Sequence, residues 1–239
     1  ERYAAAADRF AIAAKAPALA PLRARLTVLE AQARLDAGQP EVALELVRGV
    51  SAQEREQAGL RERYAVLEAD SLLRTHAREE AEAAYSRYLA DFPKGERRLG
   101  VTAKLARMLA AEDDVASKKR AASLYETLLQ QVPLSDYGAE AKKALPELRK
   151  ATGDSRTAAQ RAEFERKVAL AELDAMLSRR RYTQATKAAD RMMRGRGVDT
   201  ATRCRALYVK GSAIFKKRKR KEARPVFEKA AAVCKGKSA

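Results

Sequence analysis

The chain has few of the residues that build metal sites and disulfide scaffolds. Its 239 residues include one histidine, His76, two cysteines, Cys204 and Cys234, and no tryptophan. These numbers exclude a His/Cys metal cluster and a multi-bridge disulfide framework. The low content of Gly (11) and Pro (7) excludes a collagen-like or linker-rich chain. No uncharged apolar run reaches about 18 residues, so we expect no transmembrane segment.

Charge is distributed unevenly along the chain. The 49 Lys and Arg residues outnumber the 32 Asp and Glu residues, which gives a net charge of +17. Residues 1–150 hold 25 basic and 23 acidic residues, a net of +2, whereas residues 151–239 hold 24 and 9, a net of +15. The basic character therefore belongs to the C-terminal third, and its field attracts polyanions and acidic protein surfaces.

The sequence predicts helix after helix. Apolar residues make up 46% of the chain, enough for a buried core, and recur at i, i+3, i+4 and i+7 between short breaks. Ala, Leu, Arg, Lys and Glu, the strongest helix formers, dominate, and strand signals are nearly absent. Ser51 and Glu54 have the spacing of a capping box. Pro146 predicts a kink or a split in the helix around it.

Internal repeats indicate stacked supersecondary units. The tetrapeptide VLEA occurs at 28–31 and again at 66–69, and we call the interval from Val28 to Val66 one period. A second pattern recurs at nearly the same interval, as Ala81, Tyr85, Leu89 and Pro93, and then as Ala121, Tyr125, Leu129 and Pro133. Periods between about 20 and 50 residues are typical of solenoids, in which small residues let antiparallel helices approach closely.

These positions resemble the tetratricopeptide-repeat family. In residues 204–235, Gly211 takes the small position of a first helix, and Ala223, Phe227 and Ala230 take the Ala, aromatic and Ala positions of the second. Residues 134–160 depart from the pattern. The resemblance implies an all-α solenoid of about five to six antiparallel hairpins, continuous from a near-neutral segment, 1–152, to a strongly basic segment, 153–239.

The resemblance also implies a groove that binds peptides or protein segments. Such grooves are lined by the first helix of each hairpin. By the repeat pattern, the side chains expected to point into it are Arg63, Asp70, Arg205, Tyr208 and Ser212.

Two clusters of basic residues fall at equivalent predicted turns, one unit apart. If both turns lie on one edge of the solenoid, they form a single surface that would hold an anionic partner. The alternative is a pair of solvated turns in a protein rich in Arg and Lys. We call this surface the basic ridge; it comprises Arg179, Arg180, Arg181, Lys216, Lys217, Arg218, Lys219, Arg220 and Lys221.

The two cysteines fall within one predicted hairpin. Cys204 lies at the start of its first helix and Cys234 near the end of the antiparallel partner. Because those ends are neighbours in a hairpin, the two sulfurs are within reach of a disulfide. A bridge would indicate an oxidising compartment such as the periplasm. The alternative is two reduced thiols that pack as small apolar residues.

The sequence contains no recognisable catalytic constellation. Neither a Gly-rich phosphate loop nor a Ser/His/Asp set is present, and His76 falls at a predicted turn. We therefore expect a chain that is not itself an enzyme and that takes no cofactor and no metal.

Residues 81–95 and 121–145 resemble bacterial periplasmic helical-repeat proteins and the non-catalytic helical domain of soluble lytic transglycosylases. The resemblance implies a scaffold in the cell envelope, near peptidoglycan or another anionic polymer, or a positioning domain whose catalytic domain lies elsewhere. The chain opens at Glu1 rather than Met, so we expect a processed or trimmed start. Residues 6–17 look like the second helix of a unit without its first helix, and residues 230–239 close a second helix with no polar cap after it, so we expect a piece of a longer protein or one end docked on a partner.

A third hypothesis is a basic solenoid that binds nucleic acid. The charge of residues 151–239 permits it, because phosphate contacts dominate such affinity. The aromatic content of 5% and the lack of a recognised reader motif count against it. A partner that is a protein or peptide with acidic groups is favoured, and a cytoplasmic location is the alternative to the periplasm.

Overall fold

A computed structural model describes residues 2–57, 59–195 and 197–234. Over those residues the chain is 83% helical and has no strand, which confirms the prediction of an all-α protein. Thirteen α-helices pack mainly in consecutive pairs over this part of the chain. None of the described helices is both long and apolar enough to cross a membrane.

The chain divides into two compact units, an N-terminal unit, Glu1–Leu109, and a C-terminal unit, Ala110–Ala239. This division differs from the division by charge at 152/153, because it follows contacts between helices rather than their surface residues. The helices of the N-terminal unit are α1 (Arg2–Lys15), α2 (Arg23–Asp36), α3 (Pro40–Gly49), α4 (Ala52–Gln57), α5 (Arg61–Arg74), α6 (Arg78–Asp91) and α7 (Arg98–Ala110), with a 3-10 helix at Pro17–Leu22. Those of the C-terminal unit are α8 (Val115–Gln131), α9 (Asp136–Thr152), α10 (Ala158–Ser178), α11 (Tyr182–Arg194), α12 (Thr200–Lys216) and α13 (Arg220–Cys234).

The core of the N-terminal unit lies where α2, α3 and α5 meet. Val28 and Leu35 of α2 pack with Val47 of α3 and with Tyr64 and Leu67 of α5. The buried Tyr64 hydroxyl donates a hydrogen bond to the Ala24 carbonyl (2.7 Å). Burial raises the pKa of Tyr64 to about 12.

In the C-terminal unit, α12 packs against both α10 and α11, and α13 packs against α12. The cluster at this junction combines Leu173 of α10, Ala185 and Ala189 of α11, and three residues of α12, Ala206, Val209 and Ala213. Four of these six buried residues are alanines, and larger side chains such as Leu170 and Met192 are partly buried around them.

Four hairpin turns share one backbone geometry. Gly38, His76, Arg180 and Arg218 each have a positive φ, between 58° and 80°. In each turn, the amide of the next residue donates to the carbonyl at i−5, as in Arg181 to Met176 (2.8 Å), which is the hydrogen bond of a Schellman motif. Gly38 and His76 are one period apart, and so are Arg180 and Arg218. The period is therefore a repeat of structure as well as of sequence.

Two local predictions have different outcomes. The capping box is confirmed, because the Ser51 amide donates to the Glu54 carboxylate (3.0 Å) and the Glu54 amide donates to the Ser51 hydroxyl (3.2 Å). The helix is not split at Pro146, since α9 runs without interruption from Asp136 to Thr152, and the alternative of a kink there stays a prediction. Packing of α9 against α8 accompanies this continuity.

Candidate interaction surfaces

In the N-terminal unit, the groove residue Asp70 links three helices. Its carboxylate accepts hydrogen bonds from the Tyr85 hydroxyl of α6 (2.6 Å) and from Lys104 Nζ of α7 (2.7 Å). Burial, together with the neighbouring Asp70 charge, raises the pKa of Tyr85. The other predicted groove residue of this unit, Arg63, is half-buried on α5. Asp70 is thus engaged within the protein.

The remaining groove residues, Arg205, Tyr208 and Ser212, all lie on α12 in the C-terminal unit. The Arg205 guanidinium forms an ion pair with Asp174 of α10 (3.0 Å) and lies 5.5 Å from the centre of the Tyr208 ring. Tyr208 is 45% exposed and meets the Phe227 ring edge-on, with 6.3 Å between centroids, and Ser212 is half-buried. Arg205 and Tyr208 thus form a small aromatic and cationic surface.

An open apolar pocket of about 430 Å³ lies beside that surface, between α12 and α13. Tyr208, Phe227, Ala230 and Ala231 line it together with the two cysteines. Cys204 and Cys234 form a disulfide whose Cα atoms are 5.3 Å apart. The bridge ties the start of α12 to the end of α13. Within the described ranges, no group of His, Cys, Asp and Glu side chains is arranged to hold a metal ion.

All nine residues of the basic ridge are exposed. Lys217 Nζ, in the turn between α12 and α13, donates to the Thr183 hydroxyl at the start of α11 (3.2 Å). Because Thr183 closely follows the turn that carries Arg179, Arg180 and Arg181, this contact brings the two basic turns next to one another.

Few acidic groups offset the charge of the ridge. Among the residues that the structure describes, Glu222 is the one carboxylate that forms an ion pair with a ridge residue, Lys219 (2.9 Å). Two other ridge residues have different contacts: Arg179 donates to the Leu134 carbonyl (2.6 Å), and the Arg220 guanidinium lies 5.8 Å from the exposed Phe215 ring. Most of the ridge cations therefore face solvent without a protein counter-ion.

A further cluster centres on Phe164 of α10, which sequence analysis missed. The guanidinium groups of Arg149 and Arg156 lie 5.1 and 5.7 Å from the centre of its ring. Both arginines also donate to the same Glu126 oxygen (2.9 and 2.6 Å). The Arg156 hydrogen bonds lower the pKa of Asp154 to about 2. The cluster joins α8, α9 and α10 and is internally neutralised, so it fits a structural role.

No protein-family model matches the chain, and no curated protein sequence matches it.

Proposed function

We propose that the chain is a non-catalytic interaction scaffold of tetratricopeptide-like hairpins, stacked as an α-solenoid, and that its basic ridge binds an acidic protein or peptide. The observation that carries this proposal is the contact between Lys217 and Thr183, which joins two basic turns into one exposed surface.

The repeat geometry supports the stacked arrangement. Four hairpins use the same left-handed turn, and these turns form two pairs that are each separated by one period. In the C-terminal unit, α12 contacts both helices of the preceding hairpin, as consecutive repeats of a solenoid do. Such stacking places successive turns along one edge.

The electrostatics of the ridge support an acidic partner. A single exposed ion pair contributes only about 0–1 kcal/mol, so one cation would give little affinity. Several adjacent cations without protein counter-ions act together, raise the local concentration of an anionic partner and speed its association. A flexible acidic segment is able to reach both turns at once.

The disulfide supports a location outside the reducing cytoplasm. Cross-links of this kind persist in oxidising compartments, of which the bacterial periplasm is one. We therefore place the scaffold in the cell envelope, where an acidic protein segment or an anionic polymer such as peptidoglycan is available to the ridge.

The proposal is tested by measuring the binding of a labelled, glutamate-rich dodecapeptide by fluorescence anisotropy. A triple variant, Lys216→Glu, Arg218→Glu and Lys221→Glu, is expected to bind at least tenfold more weakly than the wild type, because these ridge cations are exposed and form no ion pair in the described structure. The matched control reverses three exposed cations elsewhere in the C-terminal unit, Lys119, Lys143 and Lys150, and is expected to change binding much less.

A single-stranded oligonucleotide of equal charge separates the two polyanion classes. If it binds more tightly than the peptide and loses affinity steeply between about 50 and 200 mM salt, the ridge is a nucleic-acid surface and the acidic-peptide proposal is wrong. If the ridge triple variant and the control triple variant weaken peptide binding equally, only the net charge of the protein matters, and the proposal is also wrong.

A further inference from the structure

The helix α12 packs on the preceding hairpin, α10 and α11, through a defined set of residues. Its Ala206, Val209 and Ala213 pack into a cluster with Ala189 of α11. The partly buried side chains against this cluster include Leu170 of α10 and Met192 and Met193 of α11. These residues of α10 and α11 form the seat that receives α12.

The same seat recurs one period later on α12 and α13. The equivalents of Leu170, Ala189, Met192 and Met193 are, in order, Tyr208, Phe227, Ala230 and Ala231. All four line the open apolar pocket of about 430 Å³. Tyr208 remains 45% exposed there, whereas its equivalent Leu170 is partly buried against the cluster beneath α12. In the described structure, the seat on α12 and α13 is formed but receives no helix.

The charge next to the seat is also repeated. Lys210 of α12 forms an ion pair with Asp190 of α11 (2.6 Å) at the edge of the first seat. The residue one period after Asp190 is Glu228, which is exposed on α13 and pairs with Arg224 of its own helix (2.8 Å). A helix in the second seat would therefore meet a carboxylate at the place where α12 meets Asp190.

We propose that the pocket between α12 and α13 binds an amphipathic α-helix of a partner chain. That helix would present small apolar residues at i, i+3 and i+7, the spacing of Ala206, Val209 and Ala213, and a Lys or Arg at i+4, the position of Lys210. The apolar stripe fills the pocket, and the cation pairs with Glu228. This site is distinct from the basic ridge, so each proposal stands or fails alone.

A synthetic peptide of residues 199–216 is the probe, because it carries the helix that fills the equivalent seat. Its Cys204 is replaced by Ser. The chain has no tryptophan, so Tyr208→Trp places a single fluorescent reporter in the pocket. Docking is expected to shift the Trp emission to shorter wavelength in a saturable titration. Val115→Trp, at another exposed apolar position, on α8, is the control and is expected not to shift.

Charge exchange tests the identity of the occupant. Glu228→Lys in the Tyr208→Trp protein is expected to weaken binding of the peptide severalfold, and Lys210→Glu in the peptide is expected to restore binding. No shift at millimolar peptide, or equal shifts from the two reporters, would overturn the proposal. Sedimentation showing a dimer that Tyr208→Lys dissociates would also overturn it, because the occupant would then be a second copy of this chain.

Discussion

Gly211 lies so close to Phe227 that a Cβ atom on this glycine would be 2.8 Å from a ring carbon. Glycine therefore leaves room for the aromatic ring on the facing helix. One period earlier, the same two positions hold Leu173 and Ala189, which are both buried in one cluster. In the first hairpin the larger residue of the pair, Leu173, is on the first helix, α10. In the next hairpin the larger residue, Phe227, is on the second helix, α13.

Positions 211 and 227 should therefore be strongly coupled, so that the effects of their substitutions on the free energy of unfolding do not add. Gly211→Leu alone should overpack the hairpin by about 1–3 kcal/mol, and Phe227→Ala alone should leave a cavity at a cost of up to about 3 kcal/mol. The double variant recreates the Leu173 and Ala189 pair and should lose much less than the sum. Urea denaturation of the four proteins measures the coupling, and strictly additive losses would contradict the interpretation.

The left-handed turn at His76 predicts that glycine at this position stabilises the protein. A non-glycine residue at φ 61° carries a steric cost of about 1–2 kcal/mol, partly offset by the greater backbone entropy that glycine loses on folding. His76→Gly should raise the free energy of unfolding by about 0.5 kcal/mol, whereas His76→Ala should not. Thermal and urea denaturation check this, and a glycine variant no more stable than the alanine variant would refute it.

The Phe164 cluster predicts a loss of stability when the ring is removed. Phe164→Ala removes apolar contact and two cation–π interactions, each of about 0.5–1 kcal/mol at partly exposed sites, so a total loss of about 2 kcal/mol is expected. Phe164→Tyr keeps the ring and should be nearly neutral, and Phe164→Leu should fall between the two. Equal losses of stability in Phe164→Leu and Phe164→Tyr would show that the cation–π interactions contribute nothing.

Reduction of the disulfide should destabilise the C-terminal unit. Closing a loop between Cys204 and Cys234 stabilises by about 3.5 kcal/mol in the chain-entropy model. Thermal denaturation with and without dithiothreitol measures this difference. The double variant Cys204→Ser and Cys234→Ser is the control, and its melting temperature should be low and insensitive to dithiothreitol.

Asp199 predicts a loss of stability in acid. Its carboxylate caps α12 by accepting from the Thr202 amide (2.8 Å) and also pairs with Arg166, and these contacts lower its pKa. The stabilisation is therefore complete above the ordinary pKa of about 3.8 and disappears as pH falls through the lowered value.

Asp199→Asn tests this because asparagine keeps the cap but does not titrate. The wild type should be more stable than the variant near neutral pH by about 0.5 kcal/mol, and the difference should vanish as the pH falls through the lowered pKa of Asp199. Urea denaturation at a series of pH values measures it. A difference that does not change with pH would show that the Asp199 charge is not responsible.

The fold class could be read from the sequence because it depends on local patterns. Helical spacing of apolar residues, the capping pair Ser51 and Glu54, and the small residue at Gly211 each act over a short stretch of chain. The turn at Gly38 could also be read, since glycine marks a left-handed backbone. The same geometry at Arg180 and Arg218 could not be read, because arginine gives no such signal and the hydrogen bonds of the turn impose it.

The candidate surfaces could be predicted only in part from the sequence. The ridge residues are adjacent in sequence, so their charge was visible, but the contact between Lys217 and Thr183 depends on how two hairpins pack. The Phe164 cluster was invisible because two of its members, Arg149 and Arg156, fall in the segment that departs from the repeat. Asp70 was assigned to the groove by its register, and nothing in that register indicated its bond to Lys104.

The shared turn has a consequence for how such a chain can vary. Its shape is held by backbone hydrogen bonds, so the residue at its left-handed position is free to change without repacking the hairpin. Along this chain that position reads Gly, His, Arg and Arg. Substitution at this position is thus able to alter the charge of each turn separately, and with it what that turn contacts, while the pairing of the helices is kept.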